Sequence, residues 1–172
     1  MVNSHALRPS DGATLQLDTF LPYRLNVVTQ AVSQALARLY SEEFGISVPE
    51  WRILAALGEA QRAGGPDWPG MTARDLARHG SMGKVMVSRA AAALVQRKIL
   101  VRKANAADRR ESFLHLSRKG AGIYMAIVPR AHAFQEQLAR GISASDAQAF
   151  DRVVRHLMKA AGSAEAALLE DA

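Results

Sequence analysis

The 172-residue chain contains no cysteine, which excludes disulfides, iron–sulfur clusters, thiolate zinc sites and cysteine nucleophiles. It also has no uninterrupted apolar run of about 18 residues, the length that a membrane span requires. The N-terminal segment MVNSHALRPSDG has no apolar signal core. We therefore expect a cytoplasmic protein that keeps its whole chain, forms one globular domain and has no membrane partner.

Sequence motifs of enzymes are missing as well. The chain has no Gly-x-Ser-x-Gly, no phosphate-binding loop and no dinucleotide fingerprint, since Gly120-Ala-Gly122 lacks the third glycine. Four histidines fall on different predicted elements without His-x-x-x-His spacing: His79, His115, His132 and His156. We therefore predict that the chain is not an enzyme, has no catalytic residues, binds no cofactor and holds no metal.

Positive charge is concentrated in the middle of the chain. Residues 71–120 hold 12 basic and 3 acidic residues, a net charge of +9, whereas the whole chain carries +6. Residues 1–70 carry −2 and residues 121–172 carry −1. A basic block between nearly neutral segments predicts one polyanion-binding face. The alternative is a solvated basic surface that has no partner.

The first third of the sequence predicts an arm followed by two helices. Residues 1–17 are polar and predict a flexible arm. Apolar residues then recur at three- and four-residue spacing over residues 18–44, which predicts a long helix that Gly45 ends. Ser47-Val-Pro-Glu50 matches a capping box and opens a second helix over about residues 48–60.

The central segment predicts a helix-turn-helix followed by a hairpin. Residues 62–70 hold three glycines and two prolines, so they predict a loop. A second capping box, Thr72-Ala-Arg-Asp75, opens a short helix, and after the break at Gly80 a further helix covers about residues 82–97. Two alternating segments predict the strands of a β-hairpin: Ile99 to Lys103 and Ser112 to Leu116.

The C-terminal part of the sequence predicts two more helices. One starts at Arg118, and Pro129 is expected to bend it; Ser143-Ala-Ser-Asp146 caps the other. The helices at both ends of the chain carry more apolar surface than a small winged head could cover, which is typical of an interface. We therefore expect a homodimer, with residues 18–46 as the N-terminal dimerisation helix and residues 118–172 as the C-terminal dimerisation helices.

The predicted fold class is mainly α with a small β-hairpin wing. It has a winged helix-turn-helix head over residues 47–117 and a dimerisation region made by the terminal helices. A recognition helix must fit a major groove about 12 Å wide and presents small and polar side chains at its N-terminal end. Two-fold symmetry would place two such helices roughly 34 Å apart, which predicts binding to an inverted-repeat operator on double-stranded DNA. The residues expected to bind DNA are Thr72, Arg74, Lys84, Met86, Ser88, Arg89, Asp108, Arg109 and Arg110.

Asp108 is the acidic residue of the otherwise basic Asp108-Arg109-Arg110 run in the hairpin tip. One interpretation is that it orients a neighbouring arginine for a narrow minor groove. The other is that it favours the bend of a solvated turn.

Three segments carry a family resemblance: Trp51-Arg52-Ile53-Leu54, VSRAAAALVQRKIL from Val87 to Leu100, and DRRESFLHLSRKG from Asp108 to Gly120. They resemble the MarR family of winged-helix transcriptional regulators, over roughly residues 21–158. The resemblance implies a homodimer whose first and last helices interlock and whose two winged heads read a palindrome.

The resemblance also assigns roles to particular residues. Asp108 and Arg110 match the family's wing Asp-x-Arg, and Ser88 with Arg89 matches its recognition-helix Ser-Arg. The sequence departs from the family pattern at Gly83, where close relatives often carry an acidic residue. A second departure is the longer loop over residues 61–71.

Arg52 lies near the positive end of the second helix, which disfavours a cation. We therefore expect a negative group beside it: Glu50, an acidic side chain of the first helix, or a ligand carboxylate. The resemblance implies a pocket for an aromatic acid between the dimer helices and the head, and an aromatic wall with one cation suits such a ligand. The alternative is an internal ion pair for Arg52 and a packing role for Trp51. The expected ligand-binding residues are Tyr23, Asn26, Ser33, Trp51 and Arg52.

These features predict a dimeric, ligand-responsive transcriptional regulator. We expect a repressor that a phenolic, cinnamic or indolic acid releases from its operator. The alternative is a ligand-independent architectural nucleic-acid-binding protein, for which the helix-rich pattern and the charge would suffice.

Overall fold

The computed structural model describes residues 15–80, 82–105, 108 and 110–170, with side chains as far as Gly162. Within these ranges the chain forms six helices and one antiparallel pair of strands. The predicted fold class, mainly helical with a small β-hairpin wing, is confirmed. The elements are α1 (Leu21–Phe44), α2 (Val48–Gly64), α3 (Ala73–His79), α4 (Lys84–Gln96), β1 (Leu100–Ala104), β2 (Ser112–Leu116), α5 (Arg118–Ala139) and α6 (Ala144–Glu170).

Helix α1 begins at Leu21, later than the start predicted at Asp18. Pro22 explains the difference, because proline lacks an N–H and its ring clashes with the preceding turn anywhere beyond the first turn of a helix. The helix ends as predicted. Gly45 adopts a left-handed φ of 60°, and its N–H donates to the carbonyl of Ser41 at 2.9 Å.

Helix α2 continues to Gly64, beyond the end predicted near Ala60. The prediction that the loop starts at residue 62 is therefore wrong. Residues 61–63 are Gln, Arg and Ala, which all favour helix. The helix ends only where Gly65 takes a positive φ of 70° and Pro66 follows.

The chain divides into two compact units, residues 1–132 and residues 133–172. The core of the first unit is made mainly by apolar side chains of α2, α3 and α4. Burial of each such side chain stabilises the fold by roughly 1.5–3 kcal/mol. The core thus holds these three helices together as one head. The fully buried members include Ile53, Leu54, Leu57, Leu76, Val87 and Leu94.

Arg97 follows the last residue of α4 and connects three helices. Its Nη1 donates to the carbonyl of Gly45 at 3.0 Å and to Oε1 of Glu50 at 3.2 Å, and its Nη2 donates to the carbonyl of Phe44 at 2.8 Å. The Glu50 side chain is only 8% exposed, and its Oε2 accepts bonds from Ser47 N and Oγ, both at 2.8 Å. The carbonyls that end α1 carry partial negative charge, so a guanidinium is favourable there. We call Arg97, Glu50 and the two α1-terminal carbonyls the arginine hub.

Arg130 of α5 makes a second connection to α1. Its guanidinium pairs with the Glu43 carboxylate, with Nη2 at 3.2 Å from Oε1, and lies 5.7 Å from the centre of the Phe44 ring. The hydrogen bond and the charge of Glu43 raise the pKa of Arg130. The C-terminal half of α1 is therefore held by α5 as well as by the hub.

We predict that Arg97→Ala lowers the free energy of unfolding by about 3 kcal/mol, because it leaves the buried Glu50 carboxylate without its cation. Urea unfolding followed by circular dichroism measures this. The matched control is Arg89→Ala on the same helix, whose exposed side chain should change stability by no more than about 0.5 kcal/mol. Equal small effects of both variants would show that the hub does not stabilise the head.

Candidate nucleic-acid interface

Helix α4 has one buried and one exposed face. Val87, Ala91 and Leu94 lie in the core. The predicted DNA-binding residues of this helix are all exposed: Lys84, Met86, Ser88 and Arg89. The helix N-cap is Gly83, and the first turn contains no acidic residue. The N-terminal end of α4 is therefore positively charged and accessible.

Thr72 and Arg74 occupy different positions on α3. Thr72 is only 6% exposed, because its Oγ1 accepts from Asp75 N at 3.2 Å and donates to Asp75 Oδ2 at 2.8 Å. The hydroxyl bond to Oδ2, together with a bond from the Thr72 backbone N–H to the same oxygen at 3.1 Å, keeps the pKa of Asp75 below its usual value. The Thr72 side chain is thus engaged in capping α3. Arg74 is exposed and pairs with Glu111 at 3.0 Å, which connects α3 to the residue just before β2.

The wing is a two-stranded antiparallel sheet in which Arg102 pairs with Leu114 and Lys103 with Phe113. At its tip, Oδ1 of Asp108 accepts from the backbone N–H of Arg110 at 2.9 Å. The carboxylate therefore supports the turn through the backbone, as expected when an aspartate favours a bend. The predicted contact Arg109 lies outside the described residues.

A cleft of about 290 Å³ lies between α4 and the wing. Ser88 of α4 lines one side, and Arg102 and Arg110 of the wing line the other. Glu111 also lines the cleft, and its carboxylate is paired with Arg74 at 3.0 Å. The two wing guanidinium groups and the hydroxyl therefore suit a phosphate, which accepts bidentate hydrogen bonds from arginine. Arg102 was not among the predicted site residues. The alternation of apolar and basic residues in β1 placed it in the wing, but not on the side that faces α4.

Both faces of β2 are covered, which fixes the base of the wing. Successive side chains of a strand point to opposite faces, and both Leu114 and His115 are buried. Along the edge of β2 that β1 leaves free, the Leu114 and Met71 backbones exchange two hydrogen bonds, at 2.8 and 3.3 Å, just before α3. On the His115 side, the imidazole lies 5.3 Å from the Trp68 ring in an edge-to-face arrangement. The long loop before α3 is therefore part of the wing's support.

The His115 imidazole lies against the loop before α3. The Pro69 backbone acts on it as a hydrogen-bond acceptor, and its Nε2 is buried without a partner among the described atoms. Gly70 makes the close approach possible: its φ is 103°, and a Cβ there would lie 2.6 Å from Nε2 of His115.

We predict that wing stability depends on pH through His115. Burial and the positive charge of Lys103 lower the pKa of His115, with the bond to Pro69 acting against them. In the unfolded chain the His115 pKa is about 6.5. As the pH falls, His115 therefore takes up a proton in the unfolded chain before it does so in the folded chain. This contribution to stability is fully present above pH ~6.5 and is lost as the pH falls toward the lowered pKa. Urea unfolding over this range should show a smaller decrease for His115→Gln than for the wild type; identical pH profiles would contradict the assignment.

The five predicted ligand-binding residues fall into two groups. Tyr23 and Asn26 on α1 are exposed and Ser33 is half-buried. Trp51 is a core residue whose ring lies 5.5 Å from Tyr40 and 6.2 Å, nearly parallel, from Tyr124. Packing of Trp51 was the alternative interpretation, and this stack agrees with it.

Arg52 has no carboxylate within ion-pair distance among the described residues. Glu50, one of its expected partners, instead pairs with Arg97, and Glu43 of the first helix pairs with Arg130. Of the three negative groups expected beside Arg52, Glu50 is therefore engaged elsewhere. Arg52 lies near Tyr40, whose pKa is raised by burial while the charge of Arg52 lowers it. The half-buried Arg52 thus presents a cation beside aromatic rings.

A basic recognition helix, a short preceding helix and a basic hairpin define a winged helix-turn-helix protein. Residues 44–111 match the model of the MarR family, so the resemblance to that family is confirmed. No curated protein gives a significant match.

No helix in the described part of the chain combines the length and hydropathy needed to cross a membrane. Across the same residues, no three His, Asp or Glu side chains cluster as metal ligands would.

Solved structures of low sequence identity share this fold. The PcaV transcriptional regulator from Streptomyces coelicolor, in complex with its natural ligand, has a TM-score of 0.70 and 20% identity over 87% of this chain and 99% of its own. MepR from S. aureus in complex with DNA has a TM-score of 0.71 and 18% identity over 82% and 98%. BpsR from Bordetella bronchiseptica, whose DNA binding is regulated by 6-hydroxynicotinic acid, has a TM-score of 0.70 and 16% identity over 85% and 98%.

Proposed function

We propose that this chain is a homodimeric MarR-family transcriptional repressor that binds an inverted-repeat operator and is released by a small aromatic carboxylate. The observation that carries the proposal is the cleft between α4 and the wing. Ser88, Arg102 and Arg110 line it together, and it lies within the +9 segment. Phosphate contacts from such groups fix a protein's position on a duplex, while the exposed side chains of α4 reach the base edges. The complex of MepR with DNA supports the same use of this fold.

The homodimer is supported by the apolar surface of the terminal helices. Tyr23, Val28 and Val32 of α1 are exposed, although side chains of this kind are rarely left in water as a contiguous face. Within the second unit, Phe150 and Met158 of α6 are exposed as well. A two-fold dimer that buries these faces would carry two winged heads, and heads one helical turn apart require an inverted repeat.

An aromatic carboxylate is supported by the surroundings of Arg52. Its guanidinium lacks a carboxylate partner among the described residues and lies near Tyr40. In the comparison with BpsR the regulating compound, 6-hydroxynicotinic acid, is itself an aromatic carboxylate. Bound acid would favour a head spacing that does not fit the operator, and a differential affinity of ~1–3 kcal/mol gives 5- to 150-fold weaker DNA binding.

We predict that Arg110→Ala weakens operator binding by about 1–3 kcal/mol, because a wing guanidinium is lost from the cleft. Fluorescence anisotropy measures this with a duplex that the wild-type protein enriches from a random-sequence pool. Arg62→Ala is the matched control, since it removes an exposed arginine outside the +9 segment. Binding that stays unchanged in Arg110→Ala would remove the wing from the mechanism, and failure of the wild type to enrich any sequence would overturn the proposed function.

We predict that Arg52→Gln abolishes the response to an aromatic acid and retains operator binding. Loss of a charge-assisted hydrogen bond should weaken acid binding by about tenfold or more. Calorimetry with phenolic, cinnamic and indolic acids measures binding, and the neutral amide of each acid is the matched control ligand. If no acid gives heat or a thermal shift with the wild type, the ligand-independent architectural function is favoured instead.

A further inference from the structure

A groove of about 640 Å³ lies on the other side of α4 from the wing cleft. Its lining is mostly apolar and comes from the start of α2 and from the exposed edge of α4, with Pro49, Val85, Met86 and Arg89 among the lining residues. Val85 is 65% exposed and Met86 is 49% exposed. Two adjacent large apolar side chains in water are unusual, since such side chains normally lie in a core or an interface.

These two residues lie in the first turn of α4, which starts at Lys84. This is the end of a recognition helix that enters the major groove. Exposed Lys84 and Arg89 flank them, and no acidic residue lies in the turn. Glu50, the acidic residue of the groove lining, is buried and paired with Arg97. The charge exposed around the apolar pair therefore complements a polyanion, which favours a nucleic-acid duplex over an apolar protein as its occupant.

We propose that Val85 and Met86 determine specificity by packing against the C5-methyl groups of thymines in each operator half-site. The inference rests on the proposed function, because it requires α4 to lie in a major groove. The thymine methyl is the apolar group of the major-groove edges, and apolar side chains recognise it by contact. The side chains of Val85 and Met86 have no strong hydrogen-bonding group that could read a base, so the methyl is the feature that these side chains can distinguish.

Replacement of thymine by deoxyuridine tests this assignment, because it removes the methyl and leaves every hydrogen-bonding group in place. The full-length protein first enriches a duplex from a random-sequence pool. Each thymine in one half-site is then replaced singly by deoxyuridine, and the affinity is measured at constant salt. We expect one or two positions at which affinity falls about fourfold, the factor that corresponds to burial of one methyl group.

Variants assign the effect to these side chains. In Val85→Ser and Met86→Gln the deoxyuridine effect should disappear at the position that each residue contacts. Ser88→Ala, on the side of α4 that faces the wing, is the matched control and should retain it. All three positions are exposed, so the variants should fold. The deoxyuridine series on the wild type does not depend on them.

The outcomes separate the inference from the proposed function. Failure to enrich any sequence overturns the proposed function, and the inference falls with it. A specific complex that tolerates every deoxyuridine, or an effect that persists in both variants, overturns the inference alone. If the groove instead binds a second copy of the chain, the double variant Val85→Ser with Met86→Gln sediments differently from the wild type, and the affinity of the wild type does not depend on deoxyuridine. That result also overturns the inference.

Discussion

The arginine hub is the contact on which the placement of the recognition helix depends. Arg97 follows the last residue of α4, yet three of its hydrogen bonds go to the end of α1 and to Glu50 at the start of α2. A guanidinium can bond two carbonyls and a carboxylate at once because its donors form a rigid fork. The hub therefore connects the helix proposed to form the dimer with the helix proposed to read DNA. Movement of α1 would be transmitted to α4 through a charged contact that includes the buried Glu50 carboxylate.

A second constraint acts on the wing, which two strands alone would not hold in one position. The backbone bridge to Met71 fixes the free edge of β2, and the contacts of His115 with Trp68 and Gly70 fix one of its faces. Arg102 and Arg110 are thus held opposite Ser88 before any DNA arrives. Such preorganisation reduces the conformational entropy that binding must otherwise oppose. The long loop, a departure from the family pattern, has a structural role in this chain.

Local signals in the sequence were sufficient for most of the fold. The box at Thr72 and Asp75 and the stop at Gly45 depend on neighbouring residues, and the structure has both. Apolar spacing alone predicts that α1 starts at Asp18, whereas Pro22 moves its start to Leu21. The cluster of Gly and Pro over residues 62–70 predicts an early end for α2, whereas the helix continues to Gly64 because the residues before it favour helix.

The candidate site was less predictable because it depends on contacts between distant residues. Glu50 and Arg97 meet across the head, and no local pattern distinguishes Arg97 from the other basic residues of its segment. Glu50 is one of the negative groups expected beside Arg52, whereas its cation in the structure, Arg97, is distant from it in the sequence. Burial of His115 depends on a loop whose composition predicts only irregular structure. The prediction expects small and polar side chains on the DNA-binding surface of α4, so it does not include the apolar Val85.

The central claim is that α1 and α4 are rigidly connected, so that two heads are held at a fixed separation. Helical phasing tests it most directly, by measuring the affinity for the enriched duplex after insertion of about five base pairs, roughly half a helical turn, between its half-sites. The insertion rotates one half-site to the opposite side of the duplex. A rigid connection predicts that affinity falls to the level of non-specific DNA. Retention of most of the specific affinity would contradict it.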